Sequence, residues 1–144
     1  MARTKEQRGW DTFSNGIDPR LIKYHRIENL YSGDAIPDVY AINRHGVSFW
    51  IENKAIVAWP ARASTFPLRF SFEPGQLAWG RAHRFWGGRS YVLLRVGFGH
   101  ESDYVLLNPE HPLDEMTKDE LLKGALAQGK RAVITYMENL THEN

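Results

Sequence analysis

The sequence contains no cysteine and no long apolar run, and each absence removes a class of protein. Without cysteine there is no disulfide, no thiolate zinc site and no cysteine nucleophile. No apolar stretch approaches the roughly 18 residues of a membrane span, and the polar residues 1–7 show no signal peptide. We therefore expect a protein of the cytoplasm, with no membrane partner.

Several sequence motifs of common enzyme classes are also missing. The chain has neither a GxxxxGK[ST] loop nor a GxGxxG loop, the two glycine-rich motifs that cradle phosphates. Its six histidines show no zinc-like spacing. No serine or threonine has a histidine and an acid at suggestive spacing, which disfavours acyl-transfer hydrolases.

What is present is the pattern of one mixed α/β (α+β) domain. The length of 144 residues fits a single domain, with residues 1–17 predicted as a loosely held arm and 18–137 as the core. Proline positions, helical spacing, strand alternation and a Thr-x-x-Glu capping box predict the elements. We predict helices over 18–31, 74–86 and 117–128, with Gly129 ending the last, and strands over 36–42, 47–54, 90–96 and 104–107, with 131–137 as a last strand or extended segment.

The first two strands are predicted to form a hairpin that brings acidic residues together. Residues 44–46 suit a three-residue turn whose Gly46 takes the left-handed position. If Asn43 pairs with Val47, Asp38 lies directly opposite Glu52, and opposed residues have Cβ atoms roughly 4.5–5.5 Å apart. Lys54 lies two residues beyond Glu52 and hence on the same strand face. A slip of one residue would separate these groups.

Two carboxylates and an ammonium are the smallest set of groups that supports metal-assisted cleavage of a phosphodiester. Asp38 and Glu52 would hold Mg²⁺, a hard cation that prefers oxygen ligands, and the backbone carbonyl of Asn53 would be a further ligand. Lys54 would position the attacking water or stabilise the developing charge. The alternative is a hairpin with an exposed Glu/Lys ladder and an acid near the turn.

Two further polar residues are candidates for the same site. If Tyr24 and Tyr31 are buried on a helix, Glu28 also points inward, where a carboxylate needs a partner or a metal. A helix-end glutamate bonded to Arg26 or to a backbone amide is the alternative. Gln76 opens the second predicted helix and could reach the phosphate or a metal-bound water, although glutamine is also a normal capping residue there.

Charge is strongly segregated along the chain. Residues 53–100 contain seven Lys/Arg and one acid, whereas residues 101–144 contain four Lys/Arg and nine acids. Basic residues interleaved with aromatic ones suit a phosphate backbone and exposed bases. A solvated basic surface over core aromatics is the alternative. The candidate DNA-binding residues are Arg62, Arg69, Arg81, Arg84 and Arg89.

Five short motifs occur together in a family-like order. They are Arg26-Ile27-Glu28, Gly33, Pro37-Asp38-Val39, Trp50-Ile51-Glu52-Asn53-Lys54 and Pro74-Gly75-Gln76-x-x-Trp79. The set resembles the PD-(D/E)XK nuclease superfamily, and within it the VRR-NUC and phage endonuclease I or Holliday junction resolvase-like proteins. The resemblance covers residues 26–96, about half of the chain.

The resemblance implies a restriction-endonuclease-like α-β-β-β-α-β core, a DNA substrate, and Mg²⁺ or Mn²⁺. It makes Asp38 and Glu52 metal ligands, Lys54 the catalytic lysine and Glu28 the helix-borne acid. It makes Gln76 the glutamine of the helix that follows the core strands.

These observations lead to one hypothesis and two rivals. The leading hypothesis is a Mg²⁺-dependent endodeoxyribonuclease that resolves branched or four-way DNA as a homodimer, because one domain offers one active site and a symmetric junction needs two cuts. One rival is a DNA-binding or inhibitory module that keeps the fold without turnover. The other is a structural accessory protein.

Overall fold

The computed structural model describes residues 4–27 and 35–143, and a six-stranded sheet runs through them. The strands are β1 (Ile22–Arg26), β2 (Val39–Asn43), β3 (Ser48–Ile56), β4 (Ser90–Val96), β5 (Asp103–Leu107) and β6 (Ala127–Gln128). The helices are α1 (Lys5–Ser14), α2 (Gln76–Phe85), α3 (Lys118–Lys123) and α4 (Lys130–Glu138). The elements from α1 to β4 occur in the order α-β-β-β-α-β that the resemblance implies, although α1 lies in the segment predicted as an arm and not at residues 18–31.

The sheet is mixed, and its strands lie side by side in chain order. β3 and β4 are parallel, with α2 on the connection between them, and the other four pairings are antiparallel. Parallel strands need such a crossover, whereas antiparallel neighbours are joined by turns. β3 and β4 are therefore the centre of the sheet, and all seven residues of β4 are buried.

Each face of the sheet has its own apolar cluster. On one face, α1 and α4 pack Trp10, Phe13 and Met137 against residues such as Phe49 and Ile51. On the other face, Leu68 of the long loop between β3 and α2 (residues 57–75) and Leu121 of α3 pack against alternate residues of β4 and β5. Because side chains alternate along a strand, Trp50, Glu52 and Lys54 lie on this second face, opposite the one that carries Phe49 and Ile51.

The predicted hairpin register is confirmed. Val39 pairs with Ile51 and Ile42 with Ser48, and the Asn43 N–H donates to the Val47 carbonyl over 3.0 Å. Continuing this register by one residue sets Asp38 opposite Glu52. Gly46 has a φ of +75°, the left-handed conformation that glycine adopts without steric cost. The turn chemistry and the hydrophobic alternation agree, and that agreement fixes the register.

The amino-terminal segment differs from the predicted arm. Residues 5–14 form α1, and the Thr4 and Gln7 side chains form a reciprocal capping box at its start. Trp10 and Phe13 are buried in the first apolar cluster. Because Leu140 belongs to the same cluster, the packed core reaches beyond both ends of the predicted range 18–137.

The helix predicted from residue 18 is wrong over residues 22–26, which form β1 and pair with β2. Asp18 does not cap a helix. Its carboxylate accepts from the backbone N–H and the guanidinium of Arg20, which closes a turn. Ile22 is buried and Tyr24 half-buried, while Lys23 and His25 are exposed, so the segment also fits a period of two. The remainder of the predicted helix, residues 28–31, and Gly33 lie outside the described residues.

The strand predicted over 104–107 is confirmed as β5, and the predictions from residue 124 onward are wrong. α3 has its predicted capping box but ends at Lys123, because residues 127–128 pair with β5 as β6. Gly129 precedes α4 with a φ of +93° and does not end a helix. Residues 131–137, predicted as a strand, belong to α4, with Val133, Ile134 and Met137 on its buried side. None of the described helices is long and apolar enough to cross a membrane.

Candidate active site

Glu52 and Lys54 lie side by side in the middle of the sheet. Both belong to β3 and both are 6% exposed. The Lys54 ammonium lies 3.4 Å from Oε2 of Glu52. The prediction that they share a face is confirmed, and they are buried rather than part of an exposed ladder. Burying two charges is costly unless they are paired and hydrogen-bonded, so the surrounding groups matter.

Gln76 completes a triangle with these two residues. Its Oε1 accepts from Lys54 Nζ over 2.8 Å and from the Glu73 backbone N–H over 2.8 Å. These two donors fix the amide so that Nε2 faces Glu52, to which it donates over 3.3 Å. Gln76 is the first residue of α2, so the start of that helix brings it to the centre of the sheet.

Asp38, the residue just before β2, approaches the same group. Its Oδ2 accepts from the backbone N–H of Asn53 over 2.9 Å, which joins the end of the β2 ladder to β3 next to Glu52. The pKa of the Glu52 carboxyl is raised to about 8, first by burial and then by the negative charge of Asp38. Lys54 opposes that rise. The effect of Asp38 on the pKa of Glu52 indicates that the two carboxylates lie close together.

One atom of the group has no partner within the described residues. Oε1 of Glu52 is buried and takes part in no hydrogen bond there. A buried carboxylate oxygen of this kind costs free energy unless a donor or a cation meets it. Glu52 Oε1 and the Asp38 carboxylate are hard oxygen donors, so the donor set fits Mg²⁺ or Mn²⁺.

The described residues contain no group of three or more histidines, aspartates or glutamates that could hold a metal. Two carboxylates are nevertheless the usual protein contribution to a magnesium site, in which waters and substrate phosphates supply the other ligands. The Asn53 carbonyl remains a predicted ligand. Glu28, the predicted helix-borne acid, lies outside the described residues.

Aromatic residues surround the group, although none of them was among the predicted site residues. The Lys54 ammonium lies 5.1 Å from the centre of the Phe72 ring, a cation–π distance. Trp50 lies two residues before Glu52, on the same face of β3, and its ring contacts the ring of Trp79. The Trp79 ring stacks on the His83 ring, with 4.9 Å between the ring centres. The spacing of Trp79 three residues after Gln76 was the available signal, since it places both on one side of α2.

The five candidate DNA-binding arginines fall into two sets. Arg62 and Arg69 are exposed, and Arg69 lies against the exposed ring of Phe70. The other three hold backbone carbonyls in place. The acceptors are Pro109 for Arg81, Ser90 for Arg84 and Thr141 for Arg89. Contact with DNA stays a prediction for all five.

Comparison with known proteins supports the fold. No protein-family model matches the sequence, and no curated protein matches it. The structure is similar to that of Archaeoglobus fulgidus Hjc, a Holliday junction resolvase from an archaeal hyperthermophile, solved at 1.6 Å resolution. The TM-score is 0.55 and the identity 15%, and the match covers 89% of this chain and 96% of that one. The predicted mixed sheet with flanking helices is thereby confirmed, and the fold is similar to that of this resolvase.

Proposed function

We propose that this protein is a Mg²⁺- or Mn²⁺-dependent endodeoxyribonuclease of the PD-(D/E)XK type, specific for branched DNA such as a four-way junction. The observation that carries the proposal is the buried Glu52–Lys54–Gln76 triangle next to Asp38, in which Glu52 Oε1 has no hydrogen-bond partner among the described residues. The likeness of the fold to that of a junction resolvase supports the DNA substrate.

The proposed roles follow from the chemistry of each group. Asp38 and Glu52 hold the metal, with the Asn53 carbonyl as a third ligand and Glu28 as a further candidate. A bound divalent cation would activate a water and neutralise charge on the scissile phosphate. Lys54 orients the attacking water or stabilises the charge that develops on the phosphate. Gln76 positions Lys54 and Glu52, because it hydrogen bonds to both.

The raised pKa of Glu52 is consistent with these roles. Without a cation, burial and the charge of Asp38 favour the protonated carboxyl up to a pH of about 8. A divalent cation would favour the carboxylate instead, because it places two positive charges beside the two acids. Metal binding is therefore expected to release a proton near neutral pH and to weaken as the pH falls.

We propose a homodimer for a geometric reason. The described residues of one chain offer one such group, whereas resolving a symmetric four-way junction requires two cuts. Paired cleavage by two copies would follow from two-fold symmetry of the protein on a two-fold symmetric substrate. Sedimentation of the protein with and without a junction tests this part of the proposal.

The function is tested by incubating the protein with supercoiled plasmid and with a synthetic four-way junction, in Mg²⁺ and in chelator. We expect metal-dependent nicking of the plasmid and cleavage of the junction, both lost in Asp38→Asn and Lys54→Ala. Cleavage that survives Asp38→Asn would place the site elsewhere. Binding without cleavage would favour a catalytically silent DNA-binding module, the second candidate.

A further inference from the structure

A separate cleft lies on the other side of the sheet from Glu52 and Lys54. It has a volume of about 360 Å³ and lies between α1 and the carboxyl ends of β3 and β4. This volume falls in the range of about 300–1,000 Å³ that small-molecule sites occupy. Ala55 and Ile56 line it, and three residues of strand span about 10 Å, so it begins about that distance from Glu52.

The cleft is basic. Lys5, Arg8 and Arg95 line it, against one acid, Asp11, among the described lining residues. Oδ1 of Asp11 accepts from the Arg26 guanidinium over 3.1 Å, so a cation outside the cleft balances part of its charge. Lys5 and Arg8 lie three residues apart on α1 and hence on one side of that helix. An anion in the cleft would face three cations supplied by two different elements.

Arg95 is the fixed member of this set. It is 7% exposed, and its Nε donates to Ser102 Oγ over 2.8 Å, while Ser102 Oγ donates to the Gly99 carbonyl. A β-carbon at Gly9 would lie 3.0 Å from Arg95 Cδ, so glycine lets α1 lie across the arginine stem. The bond to Ser102 uses Nε alone, and the guanidinium has four more N–H donors in a fork that suits phosphate oxygens.

The loop that closes the cleft offers an aromatic face. Gly97 and Gly99 have φ values of +99° and +63°, and Phe98 between them is 65% exposed. Both glycines and Phe98 line the cleft. An exposed ring beside a cluster of cations is the arrangement on which proteins stack a base while they hold its phosphate.

From these features we infer that the cleft binds one nucleotide of a DNA strand, with the phosphate on Lys5, Arg8 and Arg95 and the base against Phe98. The inference rests on the proposed function for its substrate class, and it adds a contact that none of the predicted site residues supplies. A single-stranded segment fits this site better than a duplex, because a base must leave its stack to meet a ring.

The test measures binding in chelator, where metal-dependent cleavage is absent. The probe is a ten-nucleotide thymidine strand with a fluorescent label, and the variants are Arg8→Glu, Phe98→Ala and their double. Lys123→Glu, a charge reversal at an exposed residue of α3, is the matched control. We expect each single variant to bind at least about fivefold more weakly, the double still more weakly, and the control within about twofold of the wild type.

Binding by the double variant equal to that of the wild type, or a wild type that does not bind the strand, would overturn the inference. Displacement of the strand by an equal concentration of thymidine monophosphate would also overturn it, in favour of a free nucleotide ligand. These outcomes are separate from the test of the function. A wild type that binds the strand through the cleft but never cleaves DNA contradicts only the proposed function.

Discussion

At the scale of single residues, the molecule keeps an ionisable carboxyl in a place where its charge is unfavourable. Glu52 is almost fully buried, one of its oxygens is unsatisfied within the described residues, and a second carboxylate lies beside it. Such an arrangement costs stability in the absence of a cation, and functional sites are where proteins retain it. The cost can be measured through the pH dependence of folding.

We predict that the metal-free protein loses stability as the pH rises from about 5 to about 8. The ordinary pKa of 4.5 applies to Glu52 in the unfolded chain, and a pKa of about 8 applies in the folded protein. In that interval the unfolded state has released the proton that the folded state keeps, so stability falls with rising pH. The contribution of Glu52 is on the order of 2–4 kcal/mol.

Urea unfolding at several pH values, in chelator, measures this effect. Because other groups also titrate, the comparison is with Glu52→Gln, an isosteric change that cannot ionise. We expect the wild type to be less stable than this variant at pH 8 and to approach it at pH 5. A difference between the two proteins that does not change with pH would contradict the assignment.

Gln76 gives a second prediction at this scale. Gln76→Ala removes the acceptor for Lys54 and the donor for Glu52 in one change. We expect cleavage under single-turnover conditions to slow about 10- to 100-fold, because the catalytic groups remain but lose their positioning. Gln76→Glu keeps the acceptor of Lys54 and adds a charge beside Glu52, so its metal dependence should shift as well. Equal cleavage rates for Gln76→Ala and the wild type would show that Gln76 has no part in the site.

The central residues of the site were predictable from sequence because a short hairpin determines their positions. The turn at 44–46 and the alternation of β3 set the register, and the register sets Asp38 against Glu52 and Lys54 beside it. Contacts that depend on distant segments were not predictable. Phe72 reaches Lys54 from a long irregular loop, and no local pattern reports where such a loop folds back.

At the scale of elements, one buried asparagine joins the hairpin to the last helix. Asn43 Nδ2 donates to the carbonyls of Met137 and Leu140, and its Oδ1 accepts from the N–H groups of His45 and Val47. The carbonyls of a helix end lack partners within the helix, and Asn43 supplies a donor. The same side chain closes the turn that fixes the hairpin.

We predict that Asn43→Ala destabilises the fold by about 2–4 kcal/mol, because it leaves several buried backbone groups without partners. Asn139→Ala, which removes an exposed side chain from the same region, should cost less than about 1 kcal/mol. Chemical denaturation of both variants measures the difference. Similar losses of stability in the two would mean that the buried hydrogen bonds contribute little.

Elements were predicted well where one periodicity dominates, and wrongly where two periodicities fit the same residues. The buried strand β4 matches its predicted bounds, since an apolar run between glycines and a turn allows little else. Residues 22–26 carry Ile22 and Tyr24 two apart, which fits a strand, and Tyr24 also fits a helical pattern. Pairing with β2 selects the strand over the helix. Strand pairing depends on tertiary contacts, which a local sequence pattern does not show.

At the scale of the whole molecule, the basic middle of the chain has two different uses. Arg84 donates to the Ser90 carbonyl and lies over the Tyr91 ring, so it supports the packing of α2 on β4. Arg62 and Arg69 are exposed on the long loop and are available to an external anion. A count of charges along the sequence cannot distinguish arginines that support packing from arginines that face solvent, because the two kinds differ in burial.

We predict that exchanging Arg62 and Arg69 for glutamine weakens DNA binding and reduces its salt dependence, with little change in stability. Each lost phosphate contact lowers the slope of log K against log salt by about 0.7–0.9. Arg84→Gln should instead lower the unfolding midpoint. Binding titrations at four salt concentrations and thermal melts of each variant separate the two effects. A wild-type affinity that does not change with salt would remove the arginines from the interface.

The central claim is that Glu52, with Asp38 and Lys54, forms a metal-dependent nuclease site, and single-turnover cleavage of a labelled four-way junction tests it most directly. Wild type and Glu52→Gln are compared in Mg²⁺ after circular dichroism has shown both to be folded and binding has shown both to hold the junction. We expect paired strand cuts by the wild type, none in chelator, and a loss of at least about 100-fold in Glu52→Gln. Cleavage by Glu52→Gln at the wild-type rate, or an intact junction after prolonged incubation with folded, bound wild type, would contradict it.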